Sequence, residues 1–337
     1  MPVGTWLSAA DAPLAARYDV VLLDLDGVVY RGSEPIAGAA EAIAAVRALG
    51  VRVGFVTNNA SRSAADVAAH LQSLSVPADA AEVVTSAQAA AAVLAGRFPA
   101  GAPVLVIGSP ALAAEVRTVG LRPVTSATDS PRAVVNGYFD GLCYTDLREA
   151  ALAIRAGAWW LATNLDATIP SPRGLQPGNG ALTALLRTAT DREPESAGKP
   201  ARPLLAEAVR RTGARRPLFI GDRLDTDIAG AGAAEMDGML VLTGVAEGPD
   251  LLAAVPAERP TYVARDLGGL LCAHPVVDRT PGEARCGGWR AYADGAALRV
   301  TGEGDFLDAL RALAAVSWAY ADEHGEPCGS IAGLPAL

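Results

Sequence analysis

Hydrophobic and polar positions in this chain come in blocks. Short uninterrupted apolar runs, VVLL (20–23), VGFV (53–56) and LFI (218–220), each stop at a polar cluster. Runs rich in Val, Leu, Ile and Phe, with no two-residue alternation, predict buried parallel strands. Between the first two, GAAEAIAAVRALG (38–50) repeats its apolar positions at helical spacing and ends on Gly50, a suitable stop. Strands over 20–26 and 51–57 with helices over 38–50 and 62–74 make a right-handed βαβ start.

The pattern changes in the middle of the chain. A helix is predicted over 85–96, and PVLVIGSPALAAEVRTVGLRPV (103–124) is a second, compact βαβ pattern. AVVNGYF (133–139) and AWWLATN (158–164) add strands around a helix at 146–156. A turn-rich stretch, LDATIPSPRGLQPGNG (165–180), leads into a helix at 180–189, and DREPES (191–196) reads as a return linker. The first pattern then resumes, with helix 201–212, strand 217–221, helix 226–234 and strand 238–243. Beyond it, 274–288 reads as loop, 289–302 as a hairpin around an Asp-Gly turn, and 304–325 as an amphipathic helix. The expected fold class is α/β. A Rossmann-like parallel core (1–84 and 196–273) carries an inserted α/β domain (85–195) and a small α+β C-terminal extension (274–337).

Composition narrows the function classes. With 337 residues, 51% hydrophobic and 19% charged, the chain has ample material for cores and is not a disordered one. A formal charge of −9 disfavours nucleic acid and anionic membranes as partners. Cys143, Cys272, Cys286 and Cys328 are widely spaced, without a CxxC pair, and are expected to be reduced, mostly buried thiols. The first residues carry no signal-peptide pattern, and no apolar run is long enough for a membrane span. A cytoplasmic protein is the expectation.

The chemistry sits where the strands end. Asp24 and Asp26, two residues apart, present both carboxylates on one side of the chain, and Gly27 lets a ligand approach the backbone. Thr57, Asn58 and Asn59 follow the second strand, where they could cap a helix, bind an anion, or do both. AGKP (197–200) supplies Lys199, either a surface lysine or a charge for phosphate. Asp222 and Asp227 lie in LFIGDRLDTDI (218–228). Asp227 suits either a helix cap or a supporting contact to metal-bound water or Lys199. In an open α/β sheet, ligands bind at the carboxyl ends of strands. Paired carboxylates repel a phosphate dianion, so a cation must intervene, and hard oxygen donors suit Mg²⁺. Asp24, Asp26 and Asp222, with a backbone carbonyl, are the expected magnesium ligands. His70, His274 and His324 are scattered, and GxSxG is absent, so a Ser–His–Asp mechanism has no support.

These residues bear a family resemblance. DLDG, TNN, GKP and GDRLDTDI, in that order, resemble the four motifs of the haloacid dehalogenase superfamily of phosphotransferases. The insert between the second and third motifs resembles the large α/β cap of NagD-like, phosphoglycolate and 4-nitrophenyl phosphatases. ATNLDATIPSPRGLQPGNGAL (162–182) is similar to that cap's ATNPD…PGxGA pattern, with Leu165 in place of proline. The extension is similar in layout to that of actinobacterial-type glycerol 3-phosphate phosphatases. The resemblance implies a Mg²⁺-dependent phosphomonoesterase acting on a small phosphorylated metabolite, glycerol 3-phosphate or 2-phosphoglycolate first among them. It implies Asp24 as nucleophile and Asp26 as general acid and base. Thr57, Asn58, Asn59 and Lys199 would bind the phosphate, with a homodimer as the assembly. The alternatives are a phosphate-accepting signalling receiver and a catalytically silent regulatory protein. DxDG together with GDxxxTD argues against the receiver, and the complete set of motif acids argues against the silent protein.

Overall fold

The computed structural model describes residues 6–171, 173–328 and 330–332. It divides into two compact units, Met1–Val53 with Arg215–Leu337, and Gly54–Ala214. No described helix is long and apolar enough to cross a membrane.

The first unit contributes four parallel strands in the order Tyr262–Ala264, Asp237–Val241, Pro217–Gly221, Val20–Leu23. The register pairs Val20 with Pro217 and Leu23 with Ile220, so residues 24 and 222 leave neighbouring strands at the same end. All four residues of Val20–Leu23 are buried, as the continuous apolar run predicts. After Gly221 the chain enters a π-helical turn, Leu224–Ile228, before the short α-helix Ala229–Ala233. The sequence pattern places one regular helix over 226–234; the wider turn there sets Asp227 back toward the strand end.

The C-terminal extension belongs to this unit. Its sheet has the order Val277–Thr280, Glu283–Cys286, Trp289–Asp294, Ala297–Gly302, Ser330–Ala332. The first three pairings are antiparallel and the last is parallel. The hairpin at 289–302 forms as expected, with Gly295 at φ 59° in its turn. The segment expected to be loop, 274–288, holds two paired strands instead. Val277–Thr280 has no buried residue, and Glu283–Cys286 alternates around charged positions, so neither shows the apolar run that marks a buried strand.

Helix Phe306–His324 packs on this sheet and on the parallel strands. Leu240, Leu251 and Val263 share one hydrophobic core with Trp289, Val300, Leu310, Leu313 and Trp318. At its edge the Arg259 guanidinium lies 4.5 Å from the Trp6 ring and 5.4 Å from the Trp318 ring. The same group forms a bidentate pair with Asp322, at 2.6 and 2.7 Å.

In the second unit, residues 55–57, the end of strand Arg52–Thr57, pair in parallel with Val83–Thr85. A separate parallel sheet has the order Glu195–Ser196, Trp159–Ala162, Ala133–Asn136, Pro103–Ile107, Arg122–Val124. Leu105, Val134, Trp160 and Ile154 pack with Leu186 in its core. The turn-rich stretch contains a small hairpin, Thr168–Ser171 against Gly174–Pro177. The four cysteines are free thiols, but only Cys286 is buried; Cys143 and Cys272 are exposed, against the expectation that most would be buried.

Candidate active site

Two constellations lie at strand ends, one in each unit. In the first unit, Asp24 follows Leu23 directly, and its N–H donates to the Ile220 carbonyl at 2.9 Å. Asp222 follows Gly221 and is 2% exposed; Asp227 is fully buried. Ligand oxygens of Asp24, Asp222 and Asp227 all lie within 4.8 Å of one another. Positions nearly two hundred residues apart thus meet, because parallel pairing sets their strand ends side by side.

The backbone orients these carboxylates. Asp222 Oδ2 accepts the Val245 N–H at 2.7 Å. Asp227 Oδ2 accepts the N–H groups of Asp222 and Arg223, both at 3.1 Å. Asp227 therefore ties the π-helical turn to the strand end and also joins the acid cluster. Glycines make the room: a Cβ on Gly27 or Gly244 would overlap the Asp222 carboxylate, and one on Gly221 would overlap Asp227. Gly27 also has φ +83°, a conformation glycine adopts without strain.

Three carboxylates this close repel by roughly 3–4 kcal/mol per pair at an effective dielectric near 20. A divalent cation reverses that sign, and a set of hard oxygen donors fits Mg²⁺ or Ca²⁺ rather than a soft metal. Asp26, named among the expected ligands, is not a member of this carboxylate group. Solvent reaches its side chain, yet the surrounding protein desolvates it enough to raise its pKa above the ordinary carboxylate range. The backbone at Gly32, Arg31 and the backbone at Gly27 pull the other way. A raised pKa favours the protonated form that a general acid needs.

In the second unit the groups are amides and a carboxylate gathered at the main chain of one buried lysine. Thr57 ends its strand 8% exposed, and its hydroxyl accepts the Asn59 N–H at 3.1 Å. Neither Thr57 nor its neighbours cap the next helix. Ala64–Ser73 is capped by Ser63, in a box with Asp66. Asn59 is exposed, and its Oδ1 accepts from the Ser61 N–H and hydroxyl, both at 2.7 Å. Lys199 is 3% exposed, which removes the surface-lysine reading. Asn58 Oδ1 accepts the Lys199 N–H at 2.9 Å, and Asn58 Nδ2 donates to the Lys199 carbonyl at 3.2 Å.

Sequence reasoning missed the residues behind this turn. Asn58 Nδ2 also donates to the Asp166 carboxylate, at 3.2 and 3.3 Å. Asn164 Nδ2 donates to the Asn58 carbonyl at 2.7 Å, and Asn164 Oδ1 accepts the Asp166 N–H at 3.1 Å. Behind them Asn179 Nδ2 donates to the Asn164 carbonyl at 2.7 Å, and Asn136 Nδ2 donates to Asn179 Oδ1 at 2.9 Å and to Thr183 at 3.0 Å. Trp160 Nε1 closes the chain on Asn136 Oδ1 at 2.7 Å. Asn164 and Asp166 lie in the ATNLD stretch, the one sequence signal that pointed toward them.

Comparison with known proteins sets this geometry in context. A haloacid dehalogenase-like hydrolase model matches residues 21–122, and a related hydrolase model of the same family matches 196–270. The tail, which motif reading left without a family, matches a GCN5-related N-acetyltransferase-like domain over residues 286–335. A D-glycerol 3-phosphate phosphatase of Mycobacterium tuberculosis is 47% identical over 331 residues, covering 95% of this chain and 92% of that protein. An acid sugar phosphatase of Staphylococcus saprophyticus is 35% identical over 258 residues, 76% of this chain and 97% of that one. Among solved structures, the M. tuberculosis glycerol phosphate phosphatase in complex with magnesium superimposes with a TM-score of 0.87 at 47% identity, covering 96% of this chain and 95% of that one. A 4-nitrophenylphosphatase from Thermotoga maritima gives 0.70 at 30% identity, covering 77% of this chain and 98% of that one.

Proposed function

The chain belongs to the haloacid dehalogenase-like hydrolase family, and from that premise we propose a Mg²⁺-dependent phosphomonoesterase whose substrate is glycerol 3-phosphate. The convergence of Asp24, Asp222 and Asp227 oxygens within 4.8 Å is the observation that carries this reading. Magnesium held by Asp24 and Asp222, with Asp227 behind them, supplies positive charge against the phosphoryl oxygens. A relative named for this substrate, matched over nearly its whole length, supports the choice.

The chain's own groups do the rest. An Asp24 carboxylate oxygen attacks phosphorus while the ester P–O bond breaks. Asp26, whose pKa the desolvating protein around it raises, gives a proton to the departing alkoxide. Asp26, now a carboxylate, takes a proton from water as that water attacks the aspartyl-phosphate. Phosphate leaves and Asp24 is regenerated. Thr57 and the Lys199 ammonium are assigned to the phosphoryl oxygens, which takes a hydroxyl and a buried point charge. The insert, 85–195, serves as the cap that meets the leaving group, and the protein acts in the cytoplasm on a small metabolite. A net charge of −9 weighs against nucleic acid as a partner.

A phosphate-release screen over small phosphorylated metabolites, with and without Mg²⁺, tests this. The expected result is release from glycerol 3-phosphate that stops on chelation and returns with added Mg²⁺. Release that is indifferent to chelation, or none from any monoester, overturns the reading.

A further inference from the structure

The Asn58 carboxamide is spent on protein. Its two N–H bonds point to the Lys199 carbonyl and to Asp166, and its oxygen takes the Lys199 N–H. An amide side chain has two donor hydrogens, and both are used. The oxygen's open side faces Gly198, where a Cβ would come within 2.7 Å of it. A single carboxamide thus grips both backbone groups of one residue, as a neighbouring strand would grip them. The grip is braced on both sides: Asp166 holds the amide nitrogen, and Asn164, 5% exposed, bonds both the Asn58 carbonyl and the Asp166 N–H. Asn58, Asp166 and Asn164 therefore form a closed ring, and the main chain of Lys199 is held to it through Asn58 by two bonds.

We propose that Asn58 and Asp166 are positioning residues that fix the main chain of Lys199, so that the carboxamide of Asn58 is a clamp and not a phosphate ligand. The inference deepens the phosphatase reading and rests on it for its kinetic consequence. A lysine on a four-carbon stem is a flexible point charge, and fixing its Cα leaves less of that freedom to be lost when an anion binds.

The chemistry of the ring dictates the test. Asn58→Asp keeps the shape but places a carboxylate against the Lys199 carbonyl and Asp166, an array of acceptors with no proton between them. Asp166→Asn keeps an acceptor oxygen; Asp166→Ala removes it. Partners that orient metal ligands typically contribute ten- to a hundredfold to activity, and a loss of that order sets the scale here. The expected outcome is about a ten- to hundredfold loss in kcat/KM for Asp166→Ala and Asn58→Asp. Asp166→Asn stays near wild type, and the pair Asn58→Asp with Asp166→Asn recovers part of the loss. In parallel, deuterium uptake by the peptide over 196–201 is expected to quicken about tenfold or more in Asn58→Ala and Asp166→Ala relative to the peptide over 20–23, which separates local release of Lys199 from any general loss of stability.

Unchanged uptake in both variants overturns the clamp. So does Asp166→Asn being as damaging as Asp166→Ala, since the carboxylate charge and not the accepted hydrogen bond would then matter. If wild type releases no phosphate from any monoester, the phosphatase reading falls, and the uptake result still decides the clamp.

Discussion

The two strand-end constellations solve opposite problems. In the first unit, three carboxylates sit within 4.8 Å, a gathering of like charges. In the second, neutral amides interlock: Asn136, Asn164 and Asn179 are 1%, 5% and 1% exposed and bond to one another in sequence. An isolated polar group in such a place is costly, but a satisfied network stiffens its surroundings. The carboxylate cluster is ordered by backbone N–H groups and by glycines that leave it room, and its charge calls for a cation. The amide chain asks for nothing further and hands its rigidity to Asn58. A residue built to react and a residue built to hold are thus told apart by whether the protein alone balances its polarity.

The contrast can be broken most severely at Asp24. Asn at this position leaves the volume and removes the attacking oxygen, and turnover is expected to fall by at least about three orders of magnitude with the fold intact. Steady-state phosphate release alongside a melting curve checks it; activity within tenfold of wild type would contradict the assignment. A smaller effect is expected from Gly244→Ala, because the added methyl overlaps the Asp222 carboxylate and must displace it. The Mg²⁺ concentration for half-maximal activity should rise by about tenfold or more, as supporting changes at metal sites commonly cause. The comparison is sharpened by Asn136→Ala, which cuts the amide chain far from the turn. Removing partners from buried polar groups costs about 1–3 kcal/mol for each group left unpaired. Chemical denaturation should show that loss while kcat changes little, marking the inner amides as structural.

The acid constellation was legible in the sequence because it follows from two simple facts. Uninterrupted apolar runs make adjacent parallel strands, and residues just beyond them share an edge. Asp24 and Asp222 needed nothing more. The placing of Asp227 beside Asp222 depended on a π-helical turn, which no apolar spacing announces. The amide network was hidden for a different reason. Asn in a turn-rich stretch is indistinguishable from an ordinary turn former, and only tertiary packing shows that Asn164 reaches Asn58. Asn58 itself read as an anion ligand, since its partners lie 108 and 141 residues away. In the tail, the helix and hairpin announced themselves through periodicity and an Asp-Gly turn. The strands at 277–286 did not, being wet on at least one side and rich in charge.

The tail shares its hydrophobic interior with Leu240 and Val263 of the parallel strands, and Arg259 lies against both Trp6 and Trp318, whose rings meet edge to face, where the segments join. Such an arrangement works as an evolutionary ratchet. Once Leu240, Leu251 and Val263 have come to rely on Trp318 and Leu313 for cover, a stop codon ahead of the last helix uncovers a greasy surface. A lineage carrying this appendage is then free to remodel its outer face but not to discard it, whatever the appendage first arrived to do.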